Sequence, residues 1–119
     1  MPLISQGKSA RAKSFGISCT VSATEYTLYT CPANCAAEVS MLLIVGVTGN
    51  PSVLVTWNHS SESTHILGGK SVAVGEFVLF TGATLMLQPG ETLKVTATHA
   101  GAIRIDASCT VTETFIPIG

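Results

Sequence analysis

The chain has 119 residues, one domain's worth of sequence, and only 11% of them are charged, with a formal net charge of −1; about a quarter is charged in ordinary soluble domains. With 46% hydrophobic residues, charge repulsion cannot keep copies apart, which argues for an exterior partly covered by neighbours rather than one coated only in Ser and Thr. The balance excludes a strongly basic nucleic-acid binder, and the most apolar run, Met41 to Val47, falls far short of the roughly 20 residues that a helix needs to cross a bilayer.

Residues 1–14 are polar and lack strand periodicity. They hold Lys8, Arg11 and Lys13, half of the chain's Lys and Arg, and no acid precedes Glu25. They read as an N-terminal arm that is either disordered alone or ordered against a partner, leaving 15–119 as the domain. The basic residues follow Leu3 and Ile4 with no apolar run after them, so no secretion signal is visible and synthesis in the cytoplasm is expected.

Beyond the arm, Thr, Val and Ile make up more than a quarter of the chain, a composition suited to pleated, half-buried surfaces. Ile17 to Ser22 alternates apolar and hydroxyl side chains. Glu25 to Thr30 leads into a corner at Cys31-Pro32-Ala33-Asn34. Residues 36–47 have the apolar content of a helix, but their bounding turns and β-branched end favour a strand buried on both faces. Val53, Val55 and Trp57 mark a strand with one apolar side. Further strands are predicted at 65–67, 72–80 and 84–87, with turns at Gly68-Gly69, Val74-Gly75 and Thr81-Gly82. Gln88-Pro89-Gly90-Glu91 has the proline and glycine of a type II turn, which predicts antiparallel pairing of 84–87 with 91–98. Leu93 to Thr98 and Ile103 to Thr112 alternate cleanly, one face apolar and the other hydroxyl-bearing. Short strands between evenly spaced turns predict an all-β, single antiparallel β-sandwich or jelly-roll-like domain.

The side chains that could carry chemistry are sparse. Cys31 and Cys35 have the spacing of half a zinc site, but Cys19 and Cys109 are isolated on apolar strand faces, where a thiol behaves as a small hydrophobe. A Cys31–Cys35 disulfide would close a very small loop, and reduced thiols are the default without secretion. His59 and His99 lie beside turn signals and read as exposed loop residues. Asp106 alternates with Arg104 on one strand face and reads either as its ion-pair partner two residues away or as a contact across an interface. Ser60, Ser61 and Ser63 lack an associated base and oxyanion site. Gly68-Gly69-Lys70-Ser71 lacks the spacing and the following helix of a phosphate loop. No cofactor and no catalytic residue is predicted, and three basic residues in the arm would hold nucleic acid only weakly.

In order along the chain, Glu25 to Asn34 with its Tyr29-Thr30-Cys31-Pro32-Ala33-Asn34 corner, Val53 to Trp57, Ile66 to Phe77 with Gly68-Gly69-Lys70 and Val74-Gly75-Glu76, Leu87 to Leu93 around Pro89-Gly90, and Thr112 to Gly119 together resemble the small β-sandwich virion proteins of tailed phages, those of cyanobacterial phages in particular. The resemblance implies a structural role, in capsid decoration or cementing or in the neck, tail or baseplate, and transfers no catalytic residue. The expectation is a non-enzymatic virion protein, made in the host cytoplasm, that assembles as a trimer or ring with itself and with capsid or tail proteins. Lys8, Arg11, Lys13, Arg104, Asp106, Phe115 and Ile116 are its expected contact residues. A carbohydrate- or host-surface-binding module is the alternative, for which Trp57 is the one tryptophan available.

Overall fold

The computed structural model describes residues 10–59 and 62–116, the side chains of residues 10 and 82–84 excepted. Eight strands run through it: β1 (Ala10–Cys19), β2 (Thr24–Thr30), β3 (Cys35–Thr48), β4 (Ser52–Asn58), β5 (Ser63–Ser71), β6 (Phe77–Leu87), β7 (Thr92–Thr98) and β8 (Arg104–Phe115). Every pairing is antiparallel. One sheet has the order β1-β8-β3-β6, the other β2-β7-β4-β5. The pairs β1–β8, β2–β7, β3–β6 and β4–β5 are those of one long two-stranded ribbon doubled back between β4 and β5. Winding that ribbon brings β8 beside β3 and β7 beside β4, and produces the jelly-roll sandwich that the strand spacing predicts.

The alternation of each strand decides what lies between the sheets. Ile105, Ala107, Cys109 and Val111 of β8, Leu93, Val95 and Ala97 of β7, and Val53 and Val55 of β4 are all buried, and they pack with Ile44, Leu42 and Leu87 into one core. Strand β3 corrects the expectation of a strand buried on both faces. Its inward residues are Ala37 and Val39, then Leu42 and Ile44, while Met41, Leu43 and Val45 are only half-buried on the outer side. The change of parity falls where the register with β8 shifts, between Val39 and Met41: Ser40 is an extra residue, and such a bulge turns the following side chains over. Apolar residues therefore appear at both parities although only one face is in the core.

Three further expectations change. The turn at Gln88-Pro89-Gly90-Glu91 forms as predicted, with Glu91 N–H bonded to the Gln88 carbonyl at 3.0 Å and Gly90 at φ 84°, a value that glycine takes without steric cost. The strands it joins do not pair, however: β6 lies against β3, and β7 lies in the other sheet. A turn fixes the local path of the chain, and here it carries the chain from one sheet to the other. Gly68-Gly69 is not a turn but part of β5, where the register against Val53 and Leu54 slips by one residue; Thr81-Gly82 lies within β6, beside its own irregularity. The predicted strands 72–80 and 84–87 thus become one strand beginning at Phe77, preceded by a tight turn in which Glu76 N–H reaches the Ala73 carbonyl at 2.9 Å. Residues 10–14, placed in the arm from sequence, are the first half of β1 and pair with β8 from Thr110 to Thr114.

Candidate assembly interface

The outer faces of the two sheets differ in chemistry. On the β2-β7-β4-β5 sheet the register aligns Glu25 and Thr27 with Thr96 and Lys94, and these with Leu54 and Thr56. It is a threonine-rich face with one exposed ion pair, Lys94 Nζ to Glu25 Oε1 at 3.5 Å. On the other sheet, the β1-β8 half is also polar. Ser18 Oγ donates to Asp106 Oδ1 at 2.7 Å, and Arg104 Nε to the same oxygen at 3.0 Å. The Arg104 guanidinium, then the Ser18 hydroxyl, hold the Asp106 carboxyl below its ordinary value against a small opposing effect of burial.

The β3-β6 half is different. Leu43 stands opposite Leu79 and Val45 opposite Phe77, with Met41 and Val47 continuing the row along β3. Phe77 is 63% exposed and Leu79 48%. Their neighbours Val78 and Phe80 face inward, and Phe80 packs against the core. From Phe77 to Phe80 strand β6 is apolar on both sides, and its outer side there, together with Met41 to Val47 of β3, forms an uncharged apolar strip that is bounded by Thr81 and, further along, by Glu38 opposite Met86.

The residues expected from sequence to make contacts fall in separate places. Lys8 lies outside the described residues. Arg11 is exposed near the start of β1, opposite Glu113. Lys13 turns inward, its Nζ 3.0 Å from Glu113 Oε1, and Tyr29 Oη donates to Glu113 Oε2 at 2.7 Å. Burial by itself would raise the Glu113 carboxyl, but the Tyr29 hydroxyl and the Lys13 ammonium, with Arg11 more distant, outweigh it and hold the group below its ordinary value. Burial, and then the bond to Glu113, push the Tyr29 hydroxyl strongly upward. This network ties β1, β2 and β8 together at one end of the sandwich, where Phe15 also stacks on Tyr29 with ring centroids 4.8 Å apart. Arg104 and Asp106 pair with each other as expected. Phe115 and Ile116 are exposed, and Ile116 N–H donates to the Asn34 carbonyl at 2.8 Å, fastening the end of β8 to the Cys31–Cys35 corner.

Sequence reasoning missed the apolar strip. The available signal was the combination of Phe77-Val78-Leu79-Phe80 with Met41 to Val45, two segments apolar at both parities in a sandwich whose other strands alternate.

Two more clusters bear on function. Trp57 Nε1 donates to Glu91 Oε1 at 2.9 Å, the Gln88 amide reaches the same oxygen at 3.0 Å, and the rings of Trp57 and His59 stack with centroids 4.3 Å apart. Burial would raise the Glu91 carboxyl; these two donors and His59 together lower it. His59 and His99 are half-buried rather than exposed, because Trp57 covers one and the other packs on its turn. Cys19, Cys31 and Cys109 are buried and all four thiols are free. The Cys31 thiol reaches the Cys35 carbonyl at 3.2 Å. Among the described residues no three His, Cys, Asp or Glu side chains are grouped to hold a metal ion.

The architecture is that of an eight-stranded jelly roll, and solved structures share it. The chain is similar to one from the Bacillus endospore appendages, described as a family of disulfide-linked pili, with 17% identity and a TM-score of 0.54 over 92% of this chain and 90% of that one. It is similar to one from the acid-stable capsid of Helicobacter pylori bacteriophage KHP30, with 10% identity and a TM-score of 0.56 over 89% of each. A third likeness, to infectious bursal disease virus strain Gx, has 11% identity and a TM-score of 0.54 over 90% of this chain but 32% of the viral one. At these identities the likeness is one of fold. No protein-family model and no curated protein matches the chain.

Proposed function

We propose that this chain is a non-enzymatic structural subunit of a virion, made in the host cytoplasm and incorporated by packing against copies of itself and against other particle proteins. The observation that carries the reading is the uncharged apolar strip along β3 and β6. A free monomer would leave Phe77 63% and Leu79 48% exposed, and covering what remains of each gains on the order of 1–2 kcal/mol. The fold it shares with a phage capsid chain and a pilus chain supports the same reading. Decoration or cementing of a capsid, or a place in the neck or tail, is the role proposed within it, with assembly into trimers or rings that satisfy every interface by closed symmetry. Residues 1–9 with Lys8 are proposed as contacts to neighbouring proteins, as are Arg11, Phe115 and Ile116, which lie together at one end of the roll.

A particle subunit is favoured over a disulfide-linked fibre because three of the four thiols are buried. The glycan-binding alternative would need a free aromatic platform, whereas the Trp57 indole is bonded to Glu91 and stacked on His59. The test is the mass of the purified chain by light scattering, with electron microscopy of the same sample. A closed oligomer or shell is expected; a folded monomer at high concentration would refute the reading.

A further inference from the structure

A strand that ends a sheet presents unpaired backbone groups, and proteins ordinarily guard such strands with charge, proline or irregularity. Four strands end the two sheets here. Three carry charge: Arg11 and Lys13 in β1, Glu25 in β2, Lys70 in β5. Strand β6, Phe77-Val-Leu-Phe-Thr-Gly-Ala-Thr-Leu-Met-Leu, has no charged residue and no proline over its 11 residues. Its first five, Phe77 to Thr81, pair in unbroken register with β3 before the irregularity that follows. They form a regular, uncharged free edge lined on the outer side by Phe77 and Leu79.

We infer that this edge pairs with the β6 edge of a second copy, antiparallel and about a two-fold axis at Leu79, joining two β1-β8-β3-β6 sheets into one continuous sheet. The inference rests on the assembly reading above and names its surface. The register is self-complementary: Leu79 would face Leu79 of the second copy, and Phe77 would face its Thr81, since directly opposed residues share a face. The charge is compatible: the pairing residues Phe77 to Thr81 carry none, the Lys70 and Glu76 that border the hollow beside Phe77 and Val78 are of opposite sign, and each copy is close to neutral overall. A partner recognised through charge or through glycan hydroxyls would find no matching group on this strip. The exposed apolar area supplies a share of such an interface. The apolar side chains of the strip, with Val47 and Val74, expose on the order of 400 Å², about half of the roughly 800 Å² per partner in a standard interface. The edge backbone, Thr81 and the rest of the 73–76 turn lie beside them to supply the remainder.

The experiment uses the whole chain with Cys35→Ser, which removes the one thiol that is not buried. In that background Leu79→Cys is treated with a short bis-maleimide, Val21→Cys serves as an equally exposed control, and masses are read by light scattering. A covalent dimer from Leu79→Cys but not from Val21→Cys is expected. Leu79→Lys, with unchanged far-ultraviolet dichroism, should lower the assembled mass at least twofold. If the chain assembles but Leu79→Cys yields no more dimer than Val21→Cys, and Leu79→Lys keeps the assembled mass, this pairing is overturned while the structural-subunit reading stands. If the unmodified chain is a monomer, both fall. Should Leu79→Lys fail to fold, the cross-linking comparison decides.

Discussion

Removing the Glu113 carboxylate is the sharpest test of how the sandwich is closed at its β1 end. Glu113 is 7% exposed and serves two donors, Tyr29 Oη at 2.7 Å and Lys13 Nζ at 3.0 Å. A hydrogen bond to an ionised group contributes about 1.5–3 kcal/mol, and a buried hydroxyl left without a partner costs a comparable amount. The Lys13 side chain is 38% exposed and can return to water, so its ion pair adds at most about 1 kcal/mol. Glu113→Ala should therefore destabilise the fold by about 3 kcal/mol. Glu113→Gln, which keeps an acceptor for Tyr29, should cost about half of that, and the Tyr29→Phe and Glu113→Gln pair should be non-additive by about 1 kcal/mol. Urea unfolding followed by the fluorescence of Trp57, the chain's one tryptophan, reads this at fixed protein concentration; with a slope of about 1.5–2 kcal/mol per molar, the Glu113→Ala midpoint falls by about 1.5–2 M. The group also gives the reasoning a sign in pH. Its folded value lies below the ordinary 4.5, so its contribution is complete above that value and fades as pH falls through the lowered one. The acid-induced loss should shrink in Glu113→Gln. A Glu113→Ala protein within about 0.5 kcal/mol of the parent, at the level of ordinary surface substitutions, with an unchanged acid limb, would refute the account.

Two other outcomes follow from the core. Burial, with a smaller effect of Asp106 on Cys19, pushes the Cys19 and Cys109 thiols from 9.0 up to about 11; above pH 9 the unfolded chain releases protons that the fold retains, so stability should decline between these values by on the order of 3 kcal/mol per thiol at completion. Urea midpoints taken from about pH 8 to about pH 10.5 should fall less steeply for Cys109→Ala than for the parent, and equal slopes would count against the burial argument. Gly46 is the place on β3 where the 72–76 turn rests: Gly75 N–H bonds to its carbonyl at 3.0 Å and its own N–H to Glu76 at 2.9 Å, and an added methyl would overlap the Ala73 carbonyl oxygen. Gly46→Ala should thus displace the turn at a cost of about 2 kcal/mol or more, seen as a lowered thermal midpoint; an unchanged midpoint would mean that the turn is not seated there.

The parts of the fold legible in the sequence are those in which one strand carries one burial pattern from end to end. Ile103 to Thr112 and Leu93 to Thr98 alternate without interruption, and both their strand character and their inward faces follow from that. The pairing partners were not legible at the Gln88–Glu91 turn, because residue types at a turn specify its backbone angles and say nothing of which sheet receives the next strand. Nor was the inward face of β3, where Ser40 shifts the parity. Single glycines misled in the same way: Gly69 and Gly82 look like chain reversals but lie at irregularities within strands. The paucity of charge raises the expectation of a covered exterior but does not say which face would be covered. The candidate interface itself stayed hidden, since Phe77 and Leu79 differ from core residues only in facing the open side of a strand.

The placement of β8 has a consequence for biosynthesis. This strand lies between β1 and β3, so the first sheet lacks its middle until β8 itself has left the ribosome. A nascent chain up to β7 can close the second sheet, but it holds β1 detached from β3 and leaves an extra open flank. Strand β8 therefore acts as the wedge that completes this sheet, and pairings so distant in sequence form slowly, on the order of milliseconds to seconds. Ordering in time results: a polypeptide synthesised only as far as β7 cannot yet present the finished β1-β8-β3-β6 sheet.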